Sequence, residues 1–243
     1  MKNNFNGFLL MISFFTRIPI GNKIEYTEEK YLSGLKWFPF IGLVIGAFLV
    51  PVTLINSFDQ SVKGILLILM YLIITGGIHL DGLADSSDGL FSNRKKERVL
   101  EIMKDSHIGT FGVIALILYF LIFSNLAGHL NWKWLLLMPY IGKTFGVISA
   151  SISNYARKDE GMGFLFISKL NLKHAVVHLI LMVSIVMMLL SISGIIALTI
   201  SFLIMLLLLR VFKSVIEGQT GDTIGMVIEV TQITFITVGY IFI

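Results

Sequence analysis

Residues 174–209 contain no aspartate, glutamate, lysine or arginine, and nearly all of them are apolar. A run of that length has room for two passes through the hydrocarbon layer of a bilayer, which takes ~20 helical residues per pass. Ser191-Ile192-Ser193 divides it into 174–190 and 194–209. Inside lipid every backbone N–H and C=O must find a partner within the chain, so continuous apolar runs of this kind are helices. Runs at 37–56, 62–80, 109–128, 135–154 and 223–243 read the same way. The run at 5–20 is short for a crossing, and whether it spans is left open. The fold expected is all-α, a polytopic integral membrane bundle of about six or seven transmembrane helices.

Composition agrees. The chain is 56% hydrophobic and 14% charged, with mean hydropathy +0.86, whereas soluble domains carry roughly 25% charged residues. No linker or repeat divides it, so residues 1–243 read as a single domain. Cysteine is absent, which excludes a disulfide framework and a thiolate zinc site. The net charge of +4 gives no reason to expect a nucleic-acid partner. The start has Arg17 at its far end and no small-residue cleavage site, so it does not read as a signal peptide. Gly42 and Gly46 stand at small-xxx-small spacing, a helix-contact signal. Trp132 and Trp134 look like an interfacial aromatic belt. Segment 92–107 allows a short amphipathic helix with Val99, Ile102 and Met103 on one side.

Basic residues orient the chain. Segments 17–36, 94–104, 157–173 and 210–213 hold four, five, four and two of them, fifteen of the 19. Alternating passes put these segments on one side, and the positive-inside rule makes that side cytoplasmic. Every polar stretch able to do chemistry then lies at one cytoplasmic face.

The densest such stretch is 76–89. Asp81, Asp85 and Asp88 are spaced by four and then three residues, which puts three carboxylates on one helical face. Like charges so arranged call for a cation, and Mg²⁺ takes oxygen ligands of this kind. If the helix runs straight from 62 to 90, it is ~43 Å long and the acids project beyond the hydrocarbon. Gly82 and Gly89 would let a phosphate ester approach the backbone. Asp105 begins the next helical approach and makes a fourth carboxylate for one or two ions that clamp phosphate oxygens. His79 is turned away from Asp81 by about 160°. His107 has the chemistry for acid–base work or is a surface histidine. Lys143 lies mid-span and pairs with Glu229 or faces a polar cavity that admits phosphate. Arg157 either meets phosphate or only sets topology, and Asp222 caps the last helix or shares a face with Glu229.

Several blocks together resemble cobalamin synthase, the adenosylcobinamide-GDP ribazoletransferase family. They are Phe14-Phe15-Thr16-Arg17-Ile18-Pro19, Phe38-Pro39-Phe40-Ile41-Gly42, the 76–89 stretch, Ile102-Met103-Lys104-Asp105-Ser106-His107-Ile108-Gly109-Thr110-Phe111-Gly112, Tyr155-Ala156-Arg157-Lys158-Asp159-Glu160-Gly161 and Thr220-Gly221-Asp222. They come in the family's order over nearly the whole chain. Lys143 departs from the family, where an arginine is expected, and so lacks the bidentate fork. The resemblance implies Mg²⁺-dependent transfer of adenosylcobinamide phosphate from adenosylcobinamide-GDP to the 3′-hydroxyl of α-ribazole or its 5′-phosphate, with GMP released. It implies these two substrates and the lipid bilayer as partners, with the oligomeric state, homo-oligomer or not, left open. Asp85-Ser86-Ser87-Asp88-Gly89 also resembles the opening of the CDP-alcohol phosphotransferase signature. There Gly109 replaces the last acid of the signature, and Asp81 would supply the missing carboxylate. On these resemblances Asp81, Asp85, Asp88 and Asp105 are the metal ligands, and Asp105 or His107 is the base. Lys104, Lys143, Arg157, Thr220 and Asp222 are the candidate substrate contacts. Two other readings compete: a CDP-alcohol phosphotransferase making phospholipid, and an ion-coupled transporter using Lys143, Glu229 and the acids.

Overall fold

The computed structural model describes residues 2–20 and 24–242. Lys23, counted above among the basic residues, and Ile243 lie outside the described residues. Those described form eleven α-helices and no strand: α1 (Lys2–Phe15), α2 (Glu28–Leu35), α3 (Phe38–Thr53), α4 (Gln60–Thr75), α5 (Ile78–Phe91), α6 (Lys96–Ile102), α7 (Thr110–Ala127), α8 (Trp132–Ser151), α9 (Met162–Lys169), α10 (Leu172–Ile216) and α11 (Gly221–Ile241). The all-α expectation holds, and each apolar run is helical.

By length and composition, α7, α10 and α11 can each cross a membrane. Counting the bent pairs α2/α3 and α4/α5 as one span apiece gives up to five. That count takes α10 as a single crossing. Helices α3 and α4 have 16 residues each, and α10 carries two of the expected runs in one element. Its backbone leaves the helical region at Ser191 (φ 54°, ψ −142°). A methyl group on Gly194 would lie 2.6 Å from Cγ1 of Val186. Eight residues of continuous helix would separate them by ~12 Å, so the chain doubles back where the serines stand. At 14 residues, α1 is short for a crossing.

Helix α8 is the centre of the bundle. From Trp134 to Ala150 every residue but Leu136 is buried, and α3, α10 and α11 pack against it. Gly42 and Gly46 meet its backbone at Tyr140 and Leu136, so the small-residue spacing marks a helix contact as expected. Trp134 is no belt residue: it is buried with its ring 4.8 Å from that of Phe235, while Trp132 stays exposed. Helix α6 is amphipathic, burying Val99, and Met103 just past its end is buried beside it.

The expected straight helix from 62 to 90 is corrected. The chain breaks at Gly76 (φ 65°) and Gly77 (φ 74°) and turns by 96° between α4 and α5. Both residues are in the left-handed region, which costs a glycine little and other residues about 1–2 kcal/mol. The acids therefore sit on a helix set across α4 rather than on its continuation.

The basic loops meet at one end of the bundle. Lys96 pairs with Glu217 at 2.7 Å, Lys104 with Asp159, and Arg157 with Asp222 at 2.7 Å. The strand-like exchange Ala156 N–H to Gln219 C=O (2.9 Å) and Gln219 N–H to Asn154 C=O (2.8 Å) ties the exit of α8 to the entry of α11.

Candidate active site

Helix α5 presents its three acids to three environments. Asp81 is exposed, Asp85 half-buried and Asp88 buried. Asp88 accepts from the backbone N–H of Gly109 (2.7 Å, Oδ2) and of Gly112 (2.9 Å, Oδ1). These are orphan donors at the start of α7, whose own N-cap, Gly109, offers no side chain. A carboxylate there is favoured by both the hydrogen bonds and the helix dipole. Glycine at 109 and 112 makes room, because a Cβ at either position would overlap the Asp88 carboxylate. Asp88, expected to ligate an ion, gives one lone pair of each oxygen to α7 and keeps the other.

Asp81, Asp85 and Asp105 line one cavity of about 300 Å³, together with Lys104 and Ser106. Asp85 feels the charges of Asp81, Asp222 and Asp88, opposed by Arg157. Asp105 Oδ1 accepts from the His107 N–H (3.0 Å) and lies 2.7 Å from His107 Nδ1. These bonds hold the Asp105 carboxyl below the usual carboxylate range. His107 itself is 91% exposed and does not line the cavity. Lys104 pairs with Asp159, whose carboxyl it likewise lowers.

A second cavity, about 270 Å³, opens on the other side of Asp81. Its walls are aromatic: Phe14 and Phe15 of α1, Tyr31 of α2, Phe38 of α3 and Phe166 of α9, with Asp222 at the rim. His79 is part of this wall. It stacks on Phe15 at 5.7 Å with the planes 9° apart, and its buried Nδ1 has no hydrogen-bond partner. His79 was expected to turn away from the acids; its ring packs on Phe15, in the wall of a cavity that Asp81 also lines. A third cavity joins Asp81 to Arg17 across Gly76 and Gly77; the Arg17 guanidinium occupies the space a Gly76 side chain would need.

Thr220 caps α11 by accepting from the Thr223 N–H (3.3 Å) and donates to Asp222 (3.3 Å). Asp222 also accepts from Arg157 (2.7 Å). Lys143 is fully buried, with Nζ 5.6 Å from the Phe38 ring centre and no hydrogen-bond partner. It lines neither cavity beside the acids and makes no ion pair with Glu229 among the described residues. Glu229 instead accepts from the Tyr71 hydroxyl at 2.7 Å. The idea that Gly82 and Gly89 admit a phosphate is corrected: a Cβ on Gly82 would meet the Asp222 C=O at 2.7 Å, and one on Gly89 the Met103 side chain at 2.7 Å. Both glycines serve helix packing.

No three acid or histidine side chains among the described residues already converge on one point. That fits Mg²⁺, which is held by one or two carboxylates plus substrate phosphates rather than by a closed protein cage. Asp81 and Asp85, one turn apart on α5 in the wall of one cavity, are carboxylates of the kind such a site uses. Sequence reasoning missed the aromatic cavity and Arg17, although Phe14, Phe15, Arg17 and Phe38 stood in the blocks that carried the resemblance.

The model of the cobalamin-5-phosphate synthase family matches residues 7–240. A protein of Clostridium novyi named adenosylcobinamide-GDP ribazoletransferase is 40% identical over 97% of this chain and 95% of its own. Proteins of the same name from Alkaliphilus oremlandii and Acetivibrio thermocellus are 38% and 39% identical, each over 96% of this chain and 96% and 97% of their own. No solved structure matches the chain.

Proposed function

The chain belongs to the cobalamin-5-phosphate synthase family, and on that premise we propose that it is an adenosylcobinamide-GDP ribazoletransferase working at the cytoplasmic face of a prokaryotic inner membrane. The 3′-hydroxyl of α-ribazole or its 5′-phosphate attacks the phosphorus nearer the corrinoid. A new P–O ester forms, the diphosphate P–O bond breaks, and GMP leaves. The observation that carries the site assignment is that Asp81 lines both the acidic and the aromatic cavity. A diphosphate in the first and a flat base in the second would put hydroxyl and phosphorus side by side at Asp81.

Asp81 and Asp85 would hold Mg²⁺, which supplies charge neutralisation on the phosphate oxygens. Asp105, in the wall of the same cavity, receives the hydroxyl proton. His107 positions Asp105 through its backbone N–H and ring. Arg17 and Lys104 border Asp81 from two sides, where phosphate charge would lie. Arg157 holds Asp222 at the rim of the aromatic cavity.

The test is the purified full chain in lipid nanodiscs with adenosylcobinamide-GDP and α-ribazole 5′-phosphate. GMP release is expected only with both substrates and Mg²⁺, and chelation should abolish it. Release of CMP from a CDP-activated lipid precursor instead, or uptake into liposomes without covalent change, would overturn the proposal.

A further inference from the structure

Away from the acids, a groove of about 490 Å³ lies where the α2–α3 corner meets the start of α10. Its polar walls are Lys36, Trp37, Asn171, Lys173, His174 and His178, and no acidic residue lines it. Two of its buried nitrogens have no hydrogen-bond partner: Nε1 of Trp37 and Nδ1 of His178, a residue only 3% exposed. An indole N–H can only donate, and an imidazole can present N–H at Nδ1. Leaving such donors dry and unmatched is unfavourable, so the groove calls for an acceptor. With Lys36 and Lys173 beside them, the acceptor should be an anion. Lys36 gives one N–H to Asn4 Oδ1 (2.9 Å) and, as an ammonium, keeps two more. His174 Nδ1 is engaged with Asn171 Oδ1 (3.0 Å), so it contributes to the wall rather than to binding.

The apolar side of the groove names the anion's bearer. Phe40 places its ring 5.8 Å from that of Trp37 and 6.0 Å from that of His178. From there the groove runs onto Val177 and Leu181, 46% and 38% exposed on α10, a helix long and apolar enough to cross a membrane. A soluble phosphate gains nothing from that surface, whereas acyl chains do. We propose that this groove is a binding site for one anionic phospholipid, its phosphate at Trp37, His178, Lys36 and Lys173 and its chains along Phe40, Val177 and Leu181. Basic pockets between membrane helices select anionic headgroups in this way. The site stands apart from the residues assigned to the transfer reaction, so it holds or fails independently of that assignment.

The full chain, purified in detergent and offered equal phosphatidylglycerol and phosphatidylcholine, is read by native mass spectrometry for retained lipid. Phosphatidylglycerol should be retained over phosphatidylcholine by on the order of tenfold, as expected for two lysines beside an anionic headgroup. The surface double variant Lys36→Gln/Lys173→Gln should reduce that preference to about threefold or less, and, separately, Trp37→Phe, which removes a donor to the shared phosphate, should lower retention of both lipids. Circular dichroism and monodisperse elution confirm that each variant is folded, and the double variant leaves the interior untouched. Equal retention of the two lipids by the unaltered chain, a preference that survives in the double variant, or retention unchanged by Trp37→Phe overturns the site. Loss of the bound lipid to millimolar inorganic phosphate would show a simple phosphate site and overturn the lipid assignment.

Discussion

Two carboxylates seven residues apart on one helix, Asp81 and Asp88, have opposite fates. Asp81 faces open cavities, while Asp88 is locked to two backbone N–H groups of α7. Asp88→Asn should therefore act on stability. Losing a charged, doubly bonded buried carboxylate should cost about 2–4 kcal/mol, measured as a lower unfolding temperature in the same detergent. Gly109→Ala should do the same by pushing the carboxylate away. A normal unfolding temperature with only a raised Mg²⁺ requirement would show Asp88 to be a ligand after all. Asp81→Asn and Asp85→Asn should show that second pattern, raising the Mg²⁺ needed for half-maximal GMP release by ~10-fold or more. Asp105→Asn should lower kcat by on the order of 10²–10⁴ while corrinoid binding persists; full activity would remove it as the base. His107→Ala should lower kcat less, with KM unchanged, as befits a residue acting through Asp105. The spacing of the acids was legible in the sequence. Their division of labour was not, because it depends on which helix end lies beside each one, and only the fold brings Gly109 to Asp88.

At the scale of elements the apolar runs were legible and their continuity was not. The turn at Ser191-Ile192-Ser193 was marked by its serines and stands where they are, whereas the Gly76-Gly77 pair changes direction inside apolar sequence, where hydropathy gives no signal. The two glycines differ in what a substitution would meet. Around Gly77 a Cβ finds nothing within 4 Å, whereas at Gly76 it meets the Arg17 guanidinium. Gly77→Ala should cost only the left-handed strain, about 1–2 kcal/mol. Gly76→Ala should cost more and also lower GMP release, since Arg17 must leave its place. Equal losses in the two variants would separate Arg17 from the reaction. The aromatic cavity escaped sequence reasoning for a related reason: its rings come from α1, α2, α3 and α9, and no single segment displays the pattern.

Across the whole molecule, the basic loops draw together at one end, and the absence of cysteine makes their side of the membrane directly measurable. Single cysteines in place of the exposed Glu97 or Glu160 should react with an impermeant maleimide only from the cytoplasmic side, and one at Ser57 only from the other. The reverse pattern would invert the orientation drawn from the charges. The bend at Gly76-Gly77 also sets a depth. Helix α4 ends after 16 residues, a rise of about 24 Å against a hydrocarbon layer of about 30 Å. The shelf of acids hung from its end climbs no higher than α4 reaches, so we expect the bilayer to thin locally and bring Asp81 level with water-borne phosphates. Hydrophobic mismatch thus becomes a control on turnover: lengthening the acyl chains of the host lipid should progressively sink the acidic face and slow GMP release, and shorter chains should relieve it.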